Sequence, residues 1–179
     1  GILSGDAFNG KQAQVIRHIA GEGEAGIANR GLNRWGIAVR KGNTYPGSLY
    51  LRGNAKVRVS LQSADGKQVH ASQNLTVSGS GWSKAAFTLT SATTDVNARF
   101  AITLDQPGEI AVDQVVLMGP PSEQYEGLPL RKDIAEAMKS QGLTFLRYGG
   151  TMINAPEYRW KKMVGDRDKR PPYRGHWYR

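Results

Sequence analysis

The residues of this chain able to do chemistry are carboxylates, a few aromatics and three histidines, and their spacing decides what they can do. General acid–base or nucleophilic work by carboxyl groups, for example, needs two of them held close together, one protonated and one ionised. The acids of the second half do not make such a pair. Asp133 and Glu136 fall on a helical stretch among Arg131, Lys132 and Lys139 and read as a solvated face. Glu157, Asp166 and Asp168 lie among Lys and Arg, where ion pairing lowers a carboxylate pKa instead of raising it for acid work. His18, His70 and His176 have no ligand-like spacing, and zero cysteines exclude disulfides, zinc-thiolate sites and thiol nucleophiles. Ser80 and Ser83 have no base nearby. The run GEGEAG from Gly21 lacks the lysine of a phosphate loop.

Binding a sugar asks for something else: a flat aromatic face for the apolar side of the ring, with Arg, amides or carboxylates around it for the hydroxyls. Trp35, Tyr45, Tyr50 and Trp82 are the available aromatics. Trp35 shares a parity with Ile37 and Val39, which favours the core over a platform. Tyr50 faces opposite Leu49 and Leu51, beside Arg52, and is the better exposed candidate. Trp82 follows a glycine-serine loop and either caps the core or meets ligand. Asp113 interrupts an apolar strand, and a buried carboxylate there needs a partner such as Arg or a structural Ca²⁺.

The elements that must carry these residues are mostly strands. Gln12 to Ala20, Trp35 to Arg40, Leu49 to Arg52, Val57 to Gln62, Phe87 to Leu89, Phe100 to Leu104 and Ile110 to Met118 alternate apolar and polar residues. Val69, Leu75 and Val77 mark another strand. Turn signals recur every 8 to 12 residues, with Asp65-Gly66 the strongest and Gly53-Asn54 read as closing a hairpin. The pattern predicts a β-sandwich of two antiparallel sheets over residues 1–119. Gly119, Pro120 and Pro121 then stop the strands, and residues 120–128 read as a linker.

From 129 to 179 the period changes. Leu130, Ile134, Met138 and Gln141 share a stripe, predicting a helix over Pro129 to Gln141 that Gly142 ends. A strand over Thr144 to Tyr148 then runs into Gly149-Gly150. That is one αβ step, and its apolar faces call for neighbours: the sandwich, a second copy or a companion fragment.

Charge is just as uneven. Residues 1–130 carry 12 Lys/Arg against 10 Asp/Glu, or +2, and residues 131–179 carry 12 against 5, or +7. With Tyr158, Trp160, Tyr173, Trp177 and Tyr178 interleaved, the tail has the composition of a single-stranded nucleic-acid binder; charges whose partners lie elsewhere account for it more simply, so nucleic acid is not the expected partner. No run of about 18 apolar residues is present to span a membrane, and Gly1 to Asp6 has no leader-like pattern.

An ordered series of segments then carries a resemblance. Asn29-Arg30-Gly31, Trp35-Gly36-Ile37-Ala38-Val39, Tyr50-Leu51-Arg52-Gly53, Asn97-Ala98-Arg99-Phe100 and Val112-Asp113-Gln114-Val115-Val116-Leu117-Met118 resemble the carbohydrate-binding-module-like sandwich of some α-L-arabinofuranosidases of glycoside hydrolase family 51. Leu130 to Ala137, Phe145-Leu146-Arg147-Tyr148-Gly149-Gly150, Glu157 to Lys162 and Arg167 to Pro172 resemble the start of the same enzymes' (β/α)8 barrel.

The resemblance implies a jelly-roll sandwich followed by a helix-strand fragment of the barrel, in a secreted or periplasmic protein acting on plant cell-wall polysaccharide such as arabinoxylan or arabinan. It implies that Arg147 helps hold an arabinose ring. The family's proline before the glycines is missing, Thr151 stands where an asparagine often follows, and Asn154 is the substitute. The family's acid/base and nucleophile glutamates come later than Arg179, so this chain is expected to be a binding or accessory module and not catalytic by itself. An independent carbohydrate-binding module is the alternative.

Overall fold

The computed structural model describes residues 1–145, 147 and 158–172. Among them are ten strands: β1 (Ile2–Ser4), β2 (Gln12–His18), β3 (Ala25–Asn29), β4 (Ile37–Val39), β5 (Thr44–Gly53), β6 (Ala55–Gln62), β7 (Val69–Val77), β8 (Ser83–Thr90), β9 (Asp95–Leu104) and β10 (Gly108–Leu117). They form two five-stranded antiparallel sheets. The first runs β1-β2-β10-β5-β8; the second runs β3-β9-β6-β7, with β4 also paired to β9.

Period-two alternation explains the packing. Leu49 and Leu51 of β5, Phe87 and Leu89 of β8 and Val112 of β10 turn inward from the first sheet. Val57, Val59 and Leu61 of β6 meet them with Phe100, Ile102 and Leu104 of β9. Phe87 and Phe100 stack across the layers with ring centroids 5.5 Å apart. Burial of this apolar surface drives the assembly of the two sheets.

The expected β5-β6 hairpin is not formed. β5 pairs with β10 and β8, whereas β6 pairs with β7 and β9, so Gly53-Asn54 carries the chain from one sheet to the other. The physical reason lies in the apolar rows: Leu49 and Leu51 bury against Val57, Val59 and Leu61 across the core instead of beside them. Asp65-Gly66 does close a hairpin, between β6 and β7. Asp95 to Asn97 begins β9, although Asp95 still accepts the Asn97 amide at 2.8 Å in a turn-like local bond.

After the sandwich, the helix α1 (Lys132–Ser140) is shorter than its apolar period. The Tyr125 amide donates to the Leu130 carbonyl at 3.0 Å and Gln124 bridges to Arg131, which hold the first residues extended. The stripe of Leu130, Ile134 and Met138 is exposed, so the sandwich does not cover it. The helix's charged edge, Arg131 to Asp133 and Glu136, instead lines a cleft of about 590 Å³ facing Arg40, Tyr45 and Pro120. Thr144, Phe145 and Arg147 are exposed and not in a strand, because no described strand lies beside them to pair; Leu146 and Tyr148 lie outside the described residues.

Candidate functional site

Three strands place Lys84, Tyr50 and Asp113 in one row on the outer face of the first sheet. Tyr50 is the cross-strand partner of Lys84 on β8 and of Asp113 on β10. Two distant pieces of chain settle on this row. Phe8, from the loop between β1 and β2, stacks on Tyr50 with centroids 3.6 Å apart and planes within 15°. Its neighbour Asn9 donates its backbone N–H to Asp113 Oδ2 at 3.0 Å.

From the other side comes the 3-10 turn Arg167–Lys169. Asp168 is only 5% exposed. Its carboxylate accepts from the Tyr50 hydroxyl at 3.3 Å and pairs with Lys84 Nζ. Asn9 closes the ring: its side-chain amide donates to the carbonyls of Asp168 at 2.8 Å and of Arg170 at 2.9 Å. A buried charge needs this many partners, since leaving it unpaired costs several kcal/mol.

The electrostatics follow. Lys84 first, through its hydrogen bond, holds the Asp168 carboxyl below the ordinary carboxylate range, against the opposing effect of burial. The same bond raises the Lys84 ammonium. Burial beneath Phe8, then the Asp168 charge, raises the Tyr50 phenol. Tyr50 therefore stays a neutral donor and Asp168 a charged acceptor at neutral pH.

Most of the aromatic surface read as a sugar platform is thus used internally. Tyr50 is half-buried under Phe8. Arg52 pairs with Asp6 at 2.5 Å and lies 5.1 Å from the Trp82 ring centroid, whose other neighbour is the edge of Phe8. Trp82 is half-buried, and its indole N–H is buried with no hydrogen-bond partner among the described residues. Tyr45 belongs to the core, its hydroxyl accepting the Arg40 amide at 2.8 Å.

Trp35 corrects the parity reading: it is 71% exposed. The strand starts at Ile37, and Trp35 instead ends a 3-10 turn, Leu32–Arg34, in which Asn33 and Arg34 take left-handed φ of 51° and 61°. Parity has no meaning there. Asp113 is half-buried at a bulge of β10, and its carboxylate is occupied by two backbone amides, those of Asn9 and Gln114. Among the described residues no group of three or more His, Asp or Glu is placed to hold a metal ion. Arg147 is exposed, and Asn154 lies outside the described residues. His70, 4% exposed, is held by Asp95 at 2.8 Å, a structural pair.

Phe8, Asn9 and Lys84 are members of the cluster that the sequence reading missed, and it did not place Asp168 in a site. Only Asp168 left a trace, as a carboxylate expected to be ion-paired; its cation comes from β8 and not from its own basic neighbourhood.

No family model matches the chain. Among curated proteins it is 32% identical over 163 residues to α-L-arabinofuranosidase 1 of Arabidopsis thaliana, a match spanning 86% of this chain and 24% of that protein. An extracellular exo-α-L-arabinofuranosidase of Streptomyces chartreusis is 30% identical over 169 residues, 84% of this chain and 20% of that protein. Among solved structures, an arabinose-bound α-L-arabinofuranosidase of glycoside hydrolase family 51 superposes with a TM-score of 0.81 at 27% identity, covering 94% of this chain and 30% of that one. The chain therefore spans about a quarter or less of the length of the curated relatives it matches.

Proposed function

We propose, from the premise that this chain is homologous to the N-terminal part of glycoside hydrolase family 51 α-L-arabinofuranosidases, that it is the accessory β-sandwich of such a hydrolase, not catalytic by itself. Its unit of residues 1–119 serves as the seat on which the later segment, residues 158–172, is positioned. The parent protein acts on plant cell-wall polysaccharide, outside the cytoplasm, as the name of the extracellular Streptomyces relative supports.

The observation that carries this reading is the burial of Asp168 against Tyr50 and Lys84. An accessory sheet that offered this face to free polysaccharide would leave Tyr50 and Trp82 bare. Here Tyr50 is covered by the chain's own Phe8 and by Asp168, and Trp82 meets Phe8 and Arg52. Three further carboxylates of the second half are likewise engaged with cations: Asp133 with Arg131 at 2.5 Å, Asp166 with Lys169 at 3.6 Å and Glu136 with Lys132 at 3.9 Å. Among the described residues none of these is paired with a second carboxylate in the manner of glycoside hydrolysis.

The test is an activity assay beside a docking assay. The 179-residue chain is expected to leave an aryl arabinofuranoside intact, while hydrogen exchange shows residues 166–170 protected by the sandwich. Turnover at enzymatic speed, or free exchange at those residues, overturns the reading. Direct saccharide contact is the second reading, and the exposure of Trp35 favours it.

A further inference from the structure

A groove of about 880 Å³ runs along the sandwich between the bulged end of β10 and the β3–β4 edge. Its floor is apolar, with Ile27, Ile37, Val116 and Leu117, and its rim is polar, with Gln14, Asn29, Arg30 and Arg167. Among the described residues no carboxylate lines it. Several other cations of the sandwich have acidic partners: Arg17 with Glu109, Arg52 with Asp6, Arg58 with Glu24 and Lys84 with Asp168. Among the described residues neither Arg30 nor Arg167 makes an ion pair.

The backbone is unusual on both walls. Gln114 takes a φ of 46° within the β10 bulge. Opposite, the loop that starts at Arg30 and ends at Ile37 contains Asn33 and Arg34, also left-handed. Such conformations are costly for residues other than glycine and persist where surrounding structure enforces them. Here the enforcement is visible. The Gly36 amide donates to the Arg30 carbonyl at 2.7 Å, the Gly31 amide to Asn29 Oδ1 at 2.7 Å, and a Cβ on Gly36 would sit 2.4 Å from Asn97 Cα. The loop is thereby fixed with Trp35 exposed to solvent between Arg30 and Ile37, both of which line the groove.

We propose that this groove binds a uronate-bearing oligosaccharide segment of wall polysaccharide. Apolar ring faces lie along the aliphatic floor and the Trp35 indole, and uronate carboxylates pair with Arg30 and Arg167, whose forked guanidinium groups match a carboxylate. The proposal rests on the reading of the chain as part of a wall-polysaccharide hydrolase. It goes further in naming the charge of the ligand. A nucleic acid is also anionic, but among the described residues Phe100, 5% exposed, is the one aromatic that lines the groove, which therefore offers no row of aromatic faces for bases.

Nuclear magnetic resonance titration of the full chain tests it, with three probes of matched length: a glucuronate-substituted xylo-oligosaccharide, its neutral counterpart and single-stranded DNA. The acidic oligosaccharide is expected to shift the Trp35 indole and the Asn29 and Val116 amides, and to bind at least about tenfold more tightly than the neutral one. Arg30→Gln, an exposed substitution, and Trp35→Ala are each expected to weaken it by about tenfold, with an unchanged melting temperature. Lys67→Gln, an exposed cation of the β6–β7 turn that does not line the groove, is expected to leave the affinity as it was. Equal affinity for the neutral sugar, tighter binding of DNA, shifts confined to Trp82, indifference to Arg30→Gln, or no saccharide binding would each overturn the proposal. If no saccharide binds while residues 166–170 remain protected and the chain remains inactive, this inference falls and the accessory reading stands.

Discussion

The Tyr50 hydroxyl donates to the Asp168 carboxylate at 3.3 Å across 118 residues of sequence, joining the middle of the sandwich to a segment far beyond its last strand. Lys84, the cross-strand neighbour of Tyr50, pairs with the same carboxylate, and the Asn9 side chain holds the backbone carbonyls of Asp168 and Arg170. Between those two carbonyls stands Lys169, whose ammonium pairs with Asp166 at 3.6 Å. The contact between Tyr50 and Asp168 makes the outer face of the first sheet a seat for the chain itself, and the predictions below follow from that arrangement and from the packing beneath it.

Lys84→Ala removes the cation from a buried carboxylate. Residues 158–172 are expected to detach, and trypsin cleavage after Arg159, Lys161 and Lys162 to accelerate by about tenfold or more, because an unpaired buried charge prefers water. Asp168→Asn keeps a hydrogen-bonding group in place and is expected to have a smaller effect. Equal cleavage rates in the wild type and Lys84→Ala would count against the docking.

Acid should do the same. The folded Asp168 carboxyl lies below its ordinary value, so the docking contributes stability that is present above the unfolded pKa, about 3.9, and is lost as pH falls through the folded value. Tyr50 and Asp168 resonances, followed from neutral pH into strong acid, are expected to hold steady to about pH 4 and then move together. Release already at about pH 6, nearer the ordinary histidine value, would point to a different titrating group.

The interior gives a scale for stability. Leu61 is fully buried on β6, between β7 and β9, and Leu61→Ala is expected to cost about 2–5 kcal/mol in chemical denaturation. Asp95→Ala leaves the buried His70 without its partner and is expected to cost about 1–3 kcal/mol. A change below about 0.5 kcal/mol in either would contradict the packing described.

The exposed stripe of Leu130, Ile134 and Met138 predicts self-association of the isolated chain, since contiguous apolar surface tends to be covered. Sedimentation is expected to depend on protein concentration, and Ile134→Glu to abolish that dependence. A monomer at every concentration would show that the stripe stays open to water.

Much of the sandwich was legible because alternation is a local signal. Leu49 and Leu51, Val57 to Leu61 and Phe100 to Leu104 each declare a buried face within a few residues. Which sheet a strand joins is not local, and for that reason the Gly53-Asn54 crossing read as a hairpin. β3 was hidden by its glycine-rich approach and by its small residues Ala25, Gly26 and Ala28. Trp35 was misread because alternation was extended past Ile37 into a turn whose left-handed residues, Asn33 and Arg34, carry no hydropathy signal. The site was legible only in part: Tyr50, Arg52 and Trp82 stood out by type, but what covers them comes from Phe8 and Asp168, which are distant in sequence and meet only in the fold.

Hydrogen exchange by mass spectrometry on the intact chain at neutral pH, comparing the wild type with Lys84→Ala, tests the seat most directly. The Asn9 amide is held by Asp113 and the Asp168 amide by Asp166, and Asn9 joins the two segments. Loss of protection at residues 8–10 and 166–170 together, with β5 and β8 unchanged, is the predicted result. Protection at 166–170 that is absent in the wild type, or that survives Lys84→Ala unaltered, would contradict it.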